Sequence, residues 1–449
     1  MTFALLGRVS GQVYAPGEAG YAQEIAGFNT AIVHTPDLVV VPESARDVVE
    51  AVRYAREQGH RVSVQATGHG AHAPITSGLL VSTRRLQHVS VVRETRTARI
   101  GAGTRWQALI AAAAEYGLAP IAGSSVTVGV VGYLLGGGLG PLARSHGFGS
   151  DYLLGLSVVT GDSDLREADA EQNPDLFWAL RGGGKCGLGI VTEVRLRLVE
   201  LRTLYAGALF FEEAHIEASL RAWVDWTKTA DPLTSTSVAI VRFPALDAVP
   251  EPFRGRRLLG LRFAYPGPSQ QGARLAAPLR SAAPVYLDTL GELAAADIAR
   301  VHNDPTEPRP VWSTGALLTH VDQQFASRLL EHVGAGTDAP FVAAEIRHLG
   351  AATERDVEGG SAVGGRASKF TLGLVSGAKP ELFQSVLPAA AERLLDSLRS
   401  WVSAETNISF AGRPRSAEHF ASAWPRATFD ELTRLRRRYD PHRVFAGEY

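Results

Sequence analysis

Apolar positions in the first 200 residues fall into short runs that switch between a period of two and a helical period. LVVV (38–41) leads through PES to Val48, Val49, Val52 and Ala55, spaced as one helix face behind Ser44, a residue type that caps helix N-termini. Gly59 closes that helix and RVSVQA opens the next strand. From Phe28 to Leu86 the pattern predicts strand, helix, strand and loop, with SGLLVSTRRL adding a strand and a short turn. The second strand of this small α/β unit runs into the turn VQATGHG, residues 64–70.

A second block extends from Val89 to Val199. ARIGAGTRWQALIAAAAEYGL reads as a strand, a glycine turn and an alanine-rich helix, capped by Thr104 and closed by Gly117. LLGLSVVTGDSDLREAD is a strand pair around Gly161-Asp162, and NPDLFWALRGGG a short helix with Pro174 at its first position. IVTEVRLRLVE alternates strictly, placing Val194, Leu196 and Leu198 on one face of a strand. Between Arg202 and Asn407 the texture changes: helical stretches (212–229 and 380–402) separate the alternating runs TSVAIVRF, RRLLGLRFAY, FVAAEIRHLG and KFTLGLVSG. An antiparallel sheet backed by helices is expected there, giving an α+β chain overall. Proline- and glycine-rich stretches at 244–255 and 358–366 are expected to be mobile edges. The last helix is expected to begin with a capping box, Thr428 to Glu431, and to end at Asp440-Pro441.

At 449 residues the chain is long for one core, so two domains are the natural expectation. A net charge of −1 argues against a nucleic-acid partner, which needs a basic excess. The cluster Arg434–Arg438 lies on an expected helix and reads as a solvated face. Cys186 is the single cysteine, so no intrachain disulfide can form. MTFALL has no basic region before it and no run of about 18 apolar residues follows, so neither a signal peptide nor a membrane span is expected. A cytoplasmic location follows as the simplest expectation, with the oligomeric state open.

The candidate chemistry lies in glycine. VQATGHG is followed by GSSVTVGVVGYLLGGGLG (123–140) and by RGGGKCGLGIVT (181–192). Glycine lets backbone come within hydrogen-bonding distance of a ligand and presents bare N–H groups to anions, as a dinucleotide pyrophosphate requires. With 46 glycines, any one cluster alone is explained by plain turns. A Rossmann fingerprint wants G-x-G-x-x-G directly after a first strand, and LLGGGLGPLARSHG lies too far inside the chain for that. No glycine loop leads into the Gly-Lys-Ser/Thr of a Walker A motif.

The joint order of PESARDVVEAVRYAREQG, VQATGHG, GLLVSTRRL, GAGTRW, GSSVTVGVVGYLLGGGLG, VVTGDS, NPDLFWALRGGG and GLGIVT resembles the FAD-binding domain of the vanillyl-alcohol-oxidase (PCMH-type) superfamily. Its berberine-bridge-enzyme-like oxidases are the nearest branch. The resemblance covers Phe28 to Val199 and returns in EIRHLGAA, Gly365-Arg366 and YDPHRVF. It implies an FAD-binding domain of two α/β subdomains over residues 1–200, a substrate domain over 201–407, and a segment 408–449 returning to the FAD domain.

Carried over residue by residue, the resemblance implies that His69 is bonded to the 8α-methyl of the flavin, a role a neutral imidazole can fill as a nucleophile. Gln65, Ala66, Thr67, Gly68 and Gly70 would wrap the pyrophosphate and ribityl, Gly129 and Gly132 would line the cofactor, and Gly189, Ile190 and Val191 would meet the adenine end. Ser125 stands where many relatives carry a second tethering cysteine, and a hydroxyl does not replace a thiolate. Single attachment is therefore expected. Cys186 aligns with a glycine and reads as a small packed residue. Val128 matches a position beside flavin C4a where valine goes with oxygen-reactive oxidases. Arg443 departs from the family's asparagine near the end.

Strand alternation puts Glu345 and Arg347 on one face and Ile346 and His348 on the other. Glu345 resembles the family's active-site glutamate; with its pKa raised by burial it would take a substrate proton. The alternative is an ion pair with Arg347 on a solvent-facing strand. Tyr133 and His348 are the further candidates. The expectation is an oxidoreductase with FAD, taking hydride from a small cyclic alcohol, phenol or hydroquinone of secondary metabolism and passing the electrons to O2. A dehydrogenase with another acceptor, and a metabolite-binding flavoprotein, remain the alternatives.

Overall fold

The computed structural model describes residues 5–377 and 379–447. Strands β1 (Gln12–Tyr14), β2 (Leu38–Val41), β3 (Val62–Gln65) and β4 (Leu79–Ser82) form a four-stranded sheet in the order β1-β2-β4-β3. β2 and β3 run parallel to β4, so a helix must cross between them, and Ala45–Gln58 does so. Ser44 Oγ accepts from the Asp47 N–H at its start, and Gly59 in the left-handed region (φ 69°) ends it. Val48, Ala51, Val52 and Ala55 on its inner face are fully buried. β2 and β4 are buried along their whole length, which is why LVVV and LLVS read as continuous apolar runs rather than alternating ones. β3 lies at the sheet's edge, and its C-terminal end hands the chain to the His69 turn.

β5 (Val89–Val92), β6 (Thr97–Gly101), β8 (Leu153–Val159), β9 (Leu165–Ala168) and β10 (Ile190–Arg197) make an antiparallel sheet in the order β5-β6-β10-β8-β9, while β7 (Leu118–Ala119) pairs with β11 (Val199–Glu200). β10 buries Val194 and Leu196 as its alternation requires. The helix Trp106–Ala114 is capped by Arg105, not by Thr104 as expected. Thr104 is drawn away: its hydroxyl donates to the His88 carbonyl and its own carbonyl accepts the Val130 N–H.

The eight-stranded sheet contains β12 (Thr203–Glu212), β13 (Ser235–Arg242), β14 (Arg257–Tyr265), β15 (Leu287–Asp288), β16 (Gly291–Ala294), β17 (Trp312–Leu318), β18 (Ala343–His348) and β19 (Phe370–Ser376). It is antiparallel, in the order β15-β12-β14-β13-β18-β19-β17 with β16 against β12. Its inward residues Val238, Leu259, Leu261, Phe263, Ile346, Leu372 and Leu374 share one core with Trp223, Leu279, Phe325 and Leu394 of the helices Ile216–Thr227, Ser269–Arg280, Gln323–Val333 and Val386–Ser397. The helices are shorter than the apolar patterns, because 213–215 and 380–382 are 3-10 turns. The opposite face carries Ser237, Arg262, Glu345 and Arg347, aligned by the register Ser237–Arg262 and Ser237–Arg347.

A separate, larger core joins the first two sheets to Ile408, Phe420, Trp424, Leu432, Leu435, Val444 and Phe445 near the end of the chain. There the Asp440 carboxylate accepts the N–H groups of Val444 and Phe445, and Val62 N–H donates to the Val444 carbonyl. The last helix, Arg426–Tyr439, starts after Pro425, so Thr428 falls inside its first turn and the expected box is not formed. The loop 358–366 is not the free edge expected: Arg366 donates to Asp151, Ser361 and the carbonyls of Thr353 and Arg355, and Ala362 and Val363 are buried. Among the described residues no helix is long and apolar enough to cross a membrane. Residues 448–449, the end of the expected C-terminal segment, lie outside the described residues.

Candidate active site

The three glycine segments, far apart in sequence, meet in space. A Cβ on Gly129 would lie 3.6 Å from both Ala66 and Thr67; Lys185 Nζ comes to 3.9 Å of the same position on Gly70; and a Cβ on Gly184 would press on Leu135. Gly68 has φ +72° and its Cα side faces Gly27 so closely that a Cβ would sit 2.5 Å from the Gly27 Cα. Only glycine fits this turn. The amide N–H groups of Thr67, Gly68, His69 and Gly70, and of Ser124 to Thr127, find no acceptor among the described residues, so two facing loops present bare donors. Gly132, exposed on the helix Val130–Leu135, would have open space at its Cβ. Gly189 (φ +158°) is required by packing, since a Cβ would strike Val158 and the Val159 carbonyl; Val191 points its side chain into the core and offers only backbone.

His69 stands at the centre of this wall. Its ring stacks on Phe28 with centroids 3.8 Å apart. Nδ1 is 2.9 Å from Thr67 Oγ1 and Nε2 is 3.1 Å from Thr127 Oγ1, which in turn is 3.1 Å from Ser125 Oγ. Burial pushes the imidazole down to about 4, with Arg105 adding to the shift and Asp304 opposing it. The ring is therefore neutral at physiological pH and keeps a nucleophilic lone pair. Gln65 turns inward instead, joining His34 Nε2 (3.0 Å) to the Ile25 carbonyl (3.2 Å), and so holds the base of the turn. Val128 fixes the second loop through its carbonyl, which accepts the Trp106 N–H at 3.1 Å.

Tyr133 is enclosed by glycines: a Cβ on Gly123, Gly138 or Gly149 would collide with its ring, and Trp106 meets it edge-on at 5.2 Å. Its buried hydroxyl has no hydrogen-bond partner among the described residues. Burial raises its pKa, countered by Arg347, so it stays a protonated donor.

The sheet supplies the other wall. Glu345 Oε1 accepts from Ser237 Oγ (2.9 Å) and Arg262 (3.0 Å), and Oε2 accepts from Arg347 (2.9 Å). His302 Nε2 lies 3.5 Å from the same Oε1. Burial alone would raise the Glu345 pKa, as the sequence reading supposed. Arg347, Arg262 and His302 outweigh it and hold the carboxyl well below its ordinary 4.5. Glu345 is a fixed anion, and the expectation of a raised pKa is corrected. The ion pair with Arg347 is real but mostly buried, the two side chains being 18% and 16% exposed, rather than on a solvent-facing strand.

His348 leaves the site. It stacks on Phe370 at 4.8 Å, its Nε2 accepts from Arg144 (3.0 Å), and burial beside Arg144 and Lys369 drives it down to about 2. Its odd-even offset from Glu345 decides this.

His302, Asp304 and Thr127 were not picked out in the sequence. Asp304 accepts from Ser124 Oγ at 2.6 Å and is close enough to both His69 and Arg347 to shift their titration, tying the two walls together. Thr127 sits inside a quoted motif and was within reach. His302, in VHNDPTEP, carries no periodic or motif signal.

An open cradle of glycine and free N–H groups, a neutral nucleophilic histidine and an orphaned tyrosine hydroxyl fit a flavin dinucleotide. Residues 36–169 match a family model described as FAD binding domain. The (R)-6-hydroxynicotine oxidase of Paenarthrobacter nicotinovorans is 34% identical over 202 residues, 44% of this chain and 44% of that protein. The matches span about half the length of the first curated relatives. The structure of Physcomitrella patens BBE-like 1 aligns over 100% of this chain and 98% of its own, with a TM-score of 0.85 and 19% identity. Glucooligosaccharide oxidase from Acremonium strictum, whose FAD is 6-S-cysteinyl and 8α-N1-histidyl, aligns over 99% and 98% with a TM-score of 0.84 and 19% identity. The fold is that of FAD-binding proteins of the PCMH type. Residues 36–169 are an FAD-binding domain, the whole chain shares the fold of these structures, and FAD is its cofactor.

Proposed function

We propose that the chain is an FAD-linked oxidase with one covalent tether, at His69, acting on a cyclic alcohol, phenol or hydroquinone and reducing O2 to H2O2. The observation that carries this reading is the neutral, hydroxyl-bonded His69 at the meeting point of three glycine loops, with Asp304, bonded to Ser124, near enough to act electrostatically on both His69 and Arg347. FAD supplies a two-electron acceptor for substrate hydride.

The chain's own groups then have separable tasks. Thr67 to Gly70 and Ser124 to Thr127 bind the anionic and ribityl parts with backbone N–H groups. Tyr133, protonated and without a hydroxyl partner among the described residues, donates a hydrogen bond to substrate oxygen. Glu345 is already saturated with donors and holds its charge, which makes it a poor proton acceptor. His302 is the better one: burial, with help from Arg347 and Arg262, lowers its pKa and keeps it neutral, and Glu345 beside it stabilises the imidazolium once the substrate O–H proton arrives. The proton goes to His302 as hydride leaves the adjacent carbon. Reading Val128 as the residue beside flavin C4a, and the oxidase relatives, favour dioxygen over another acceptor.

The test is a visible spectrum of purified protein before and after acid precipitation. Yellow colour that stays with the wild-type pellet and leaves that of His69→Ala supports the tether; colour that leaves both refutes it. Oxygen uptake with peroxide release on substrate screening separates an oxidase from a dehydrogenase.

A further inference from the structure

The hydroxyls around His69 form a line with two unlike ends. Thr67 Oγ1, partly exposed, has His69 Nδ1 as its one side-chain partner among the described residues and joins no second hydroxyl. Thr127 Oγ1, itself buried at 8% exposure, links Nε2 onward to Ser125 Oγ, which is half-exposed. Phe28, stacked at 3.8 Å and 14°, stops the ring from turning over to exchange these partners. Attachment needs one ring nitrogen with a free lone pair and a way out for the proton on the other. Among the described residues, the Thr127 side alone passes the proton on to a second hydroxyl.

We propose that Thr127 is a positioning residue for flavin attachment: its hydroxyl keeps the proton of His69 on Nε2 and relays it to Ser125, leaving Nδ1 to form the bond. This rests on the covalent reading given above. The new bond joins Nδ1 to the 8α-carbon of the isoalloxazine. The methyl group gives up one proton and Nε2 the other; the two electrons go onto the ring and dioxygen takes them with the two protons, forming hydrogen peroxide. Thr67 merely donates to the Nδ1 lone pair and is displaced when the bond forms. Ser125, at the position of the second tether in relatives, acts here as the open end of the relay.

Thr127→Val keeps the shape and deletes the hydroxyl. Each protein, as purified and then incubated with added FAD in air, is measured for total flavin in the native spectrum and for flavin retained in the acid pellet. The His69 peptide is weighed for the addition of FAD less a hydrogen molecule. Wild type, Thr127→Ser and Thr67→Val are expected to retain their flavin. Thr127→Val is expected to bind flavin natively but to release it, attachment being roughly a hundredfold slower, as for loss of a proton-transfer partner. Full retention by Thr127→Val overturns the proposal, and so does loss in Thr67→Val with retention in Thr127→Val, which would make Nε2 the attached atom. Thr127→Val that holds no flavin before precipitation, while Thr127→Ser does, also overturns it by assigning the hydroxyl to cofactor binding. Release from wild type refutes the covalent reading itself, a separate and recognisable outcome.

Discussion

Around His69 the polar groups are neutral, two threonine hydroxyls and a serine, whereas on the facing sheet Glu345 is held between Arg262 and Arg347 with His302 at its side. Both walls are largely dry, yet they keep their polar groups by different means. The loop wall leaves backbone donors open and bonds its histidine to hydroxyls alone, with Lys185 beside Gly70, so that it can receive an anionic cofactor. The sheet wall pairs its one carboxylate with two guanidiniums inside the protein. A dry site can therefore hold a nucleophile ready on one side and a proton acceptor on the other only if the two are buffered differently: hydroxyls that can donate or accept around His69, fixed ions around His302.

The sharpest way to break this contrast is Glu345→Ala, which strands two buried guanidiniums and should cost about 3–5 kcal/mol in denaturant unfolding. A loss near zero would mean that the charges are solvated after all. Replacing Glu345 and Arg347 together by Gln and Met should return much of that stability. The sign with pH follows: because the carboxyl is depressed in the fold, its contribution is present above the ordinary 4.5 and fades as pH falls below it.

Next in size is Gly68→Ala on the loop wall. A Cβ 2.5 Å from the Gly27 Cα, at φ +72°, should cost about 1–3 kcal/mol and empty the flavin site, read as lost absorbance in the visible. A yellow, equally stable variant would show the turn to be more yielding than its geometry implies.

The smallest effect tests neutral burial outside the two walls. His348, held down to about 2, is neutral in the fold, while the unfolded chain takes up its proton as pH drops through 6.5. Its contribution to stability is full above 6.5 and declines below, so wild type should lose about 0.7 kcal/mol more than His348→Gln between pH 7 and pH 6. Parallel pH profiles for the two proteins would contradict it.

Much of this was readable in the chain. Ser44, Gly59 and Pro174 bound their helices as residue type dictates, and the alternation of β10, β13, β14, β18 and β19 placed each strand. The same alternation separated Glu345 from His348 correctly. Where reading failed, a competing partner had taken the residue. Thr104 was claimed by His88 and Val130, and the box at Thr428 was pre-empted by Pro425. The glycine-rich 358–366 looked loose because nothing nearby in sequence shows that Arg366 meets Asp151.

By itself the sequence determined the elements and the glycine turns, because strand and helix periods and the positive-φ demands of glycine are local properties, while the cofactor followed from the resemblance carried by the joint order of those turns. The tertiary structure decided the ionisation of Glu345, the removal of His348, the arrival of His302 and Asp304, and the hydroxyl line on His69. Those depend on charges and hydrogen-bond partners brought together across tens to hundreds of residues, and a carboxylate's pKa is set by the cations that fold against it rather than by its neighbours in the chain.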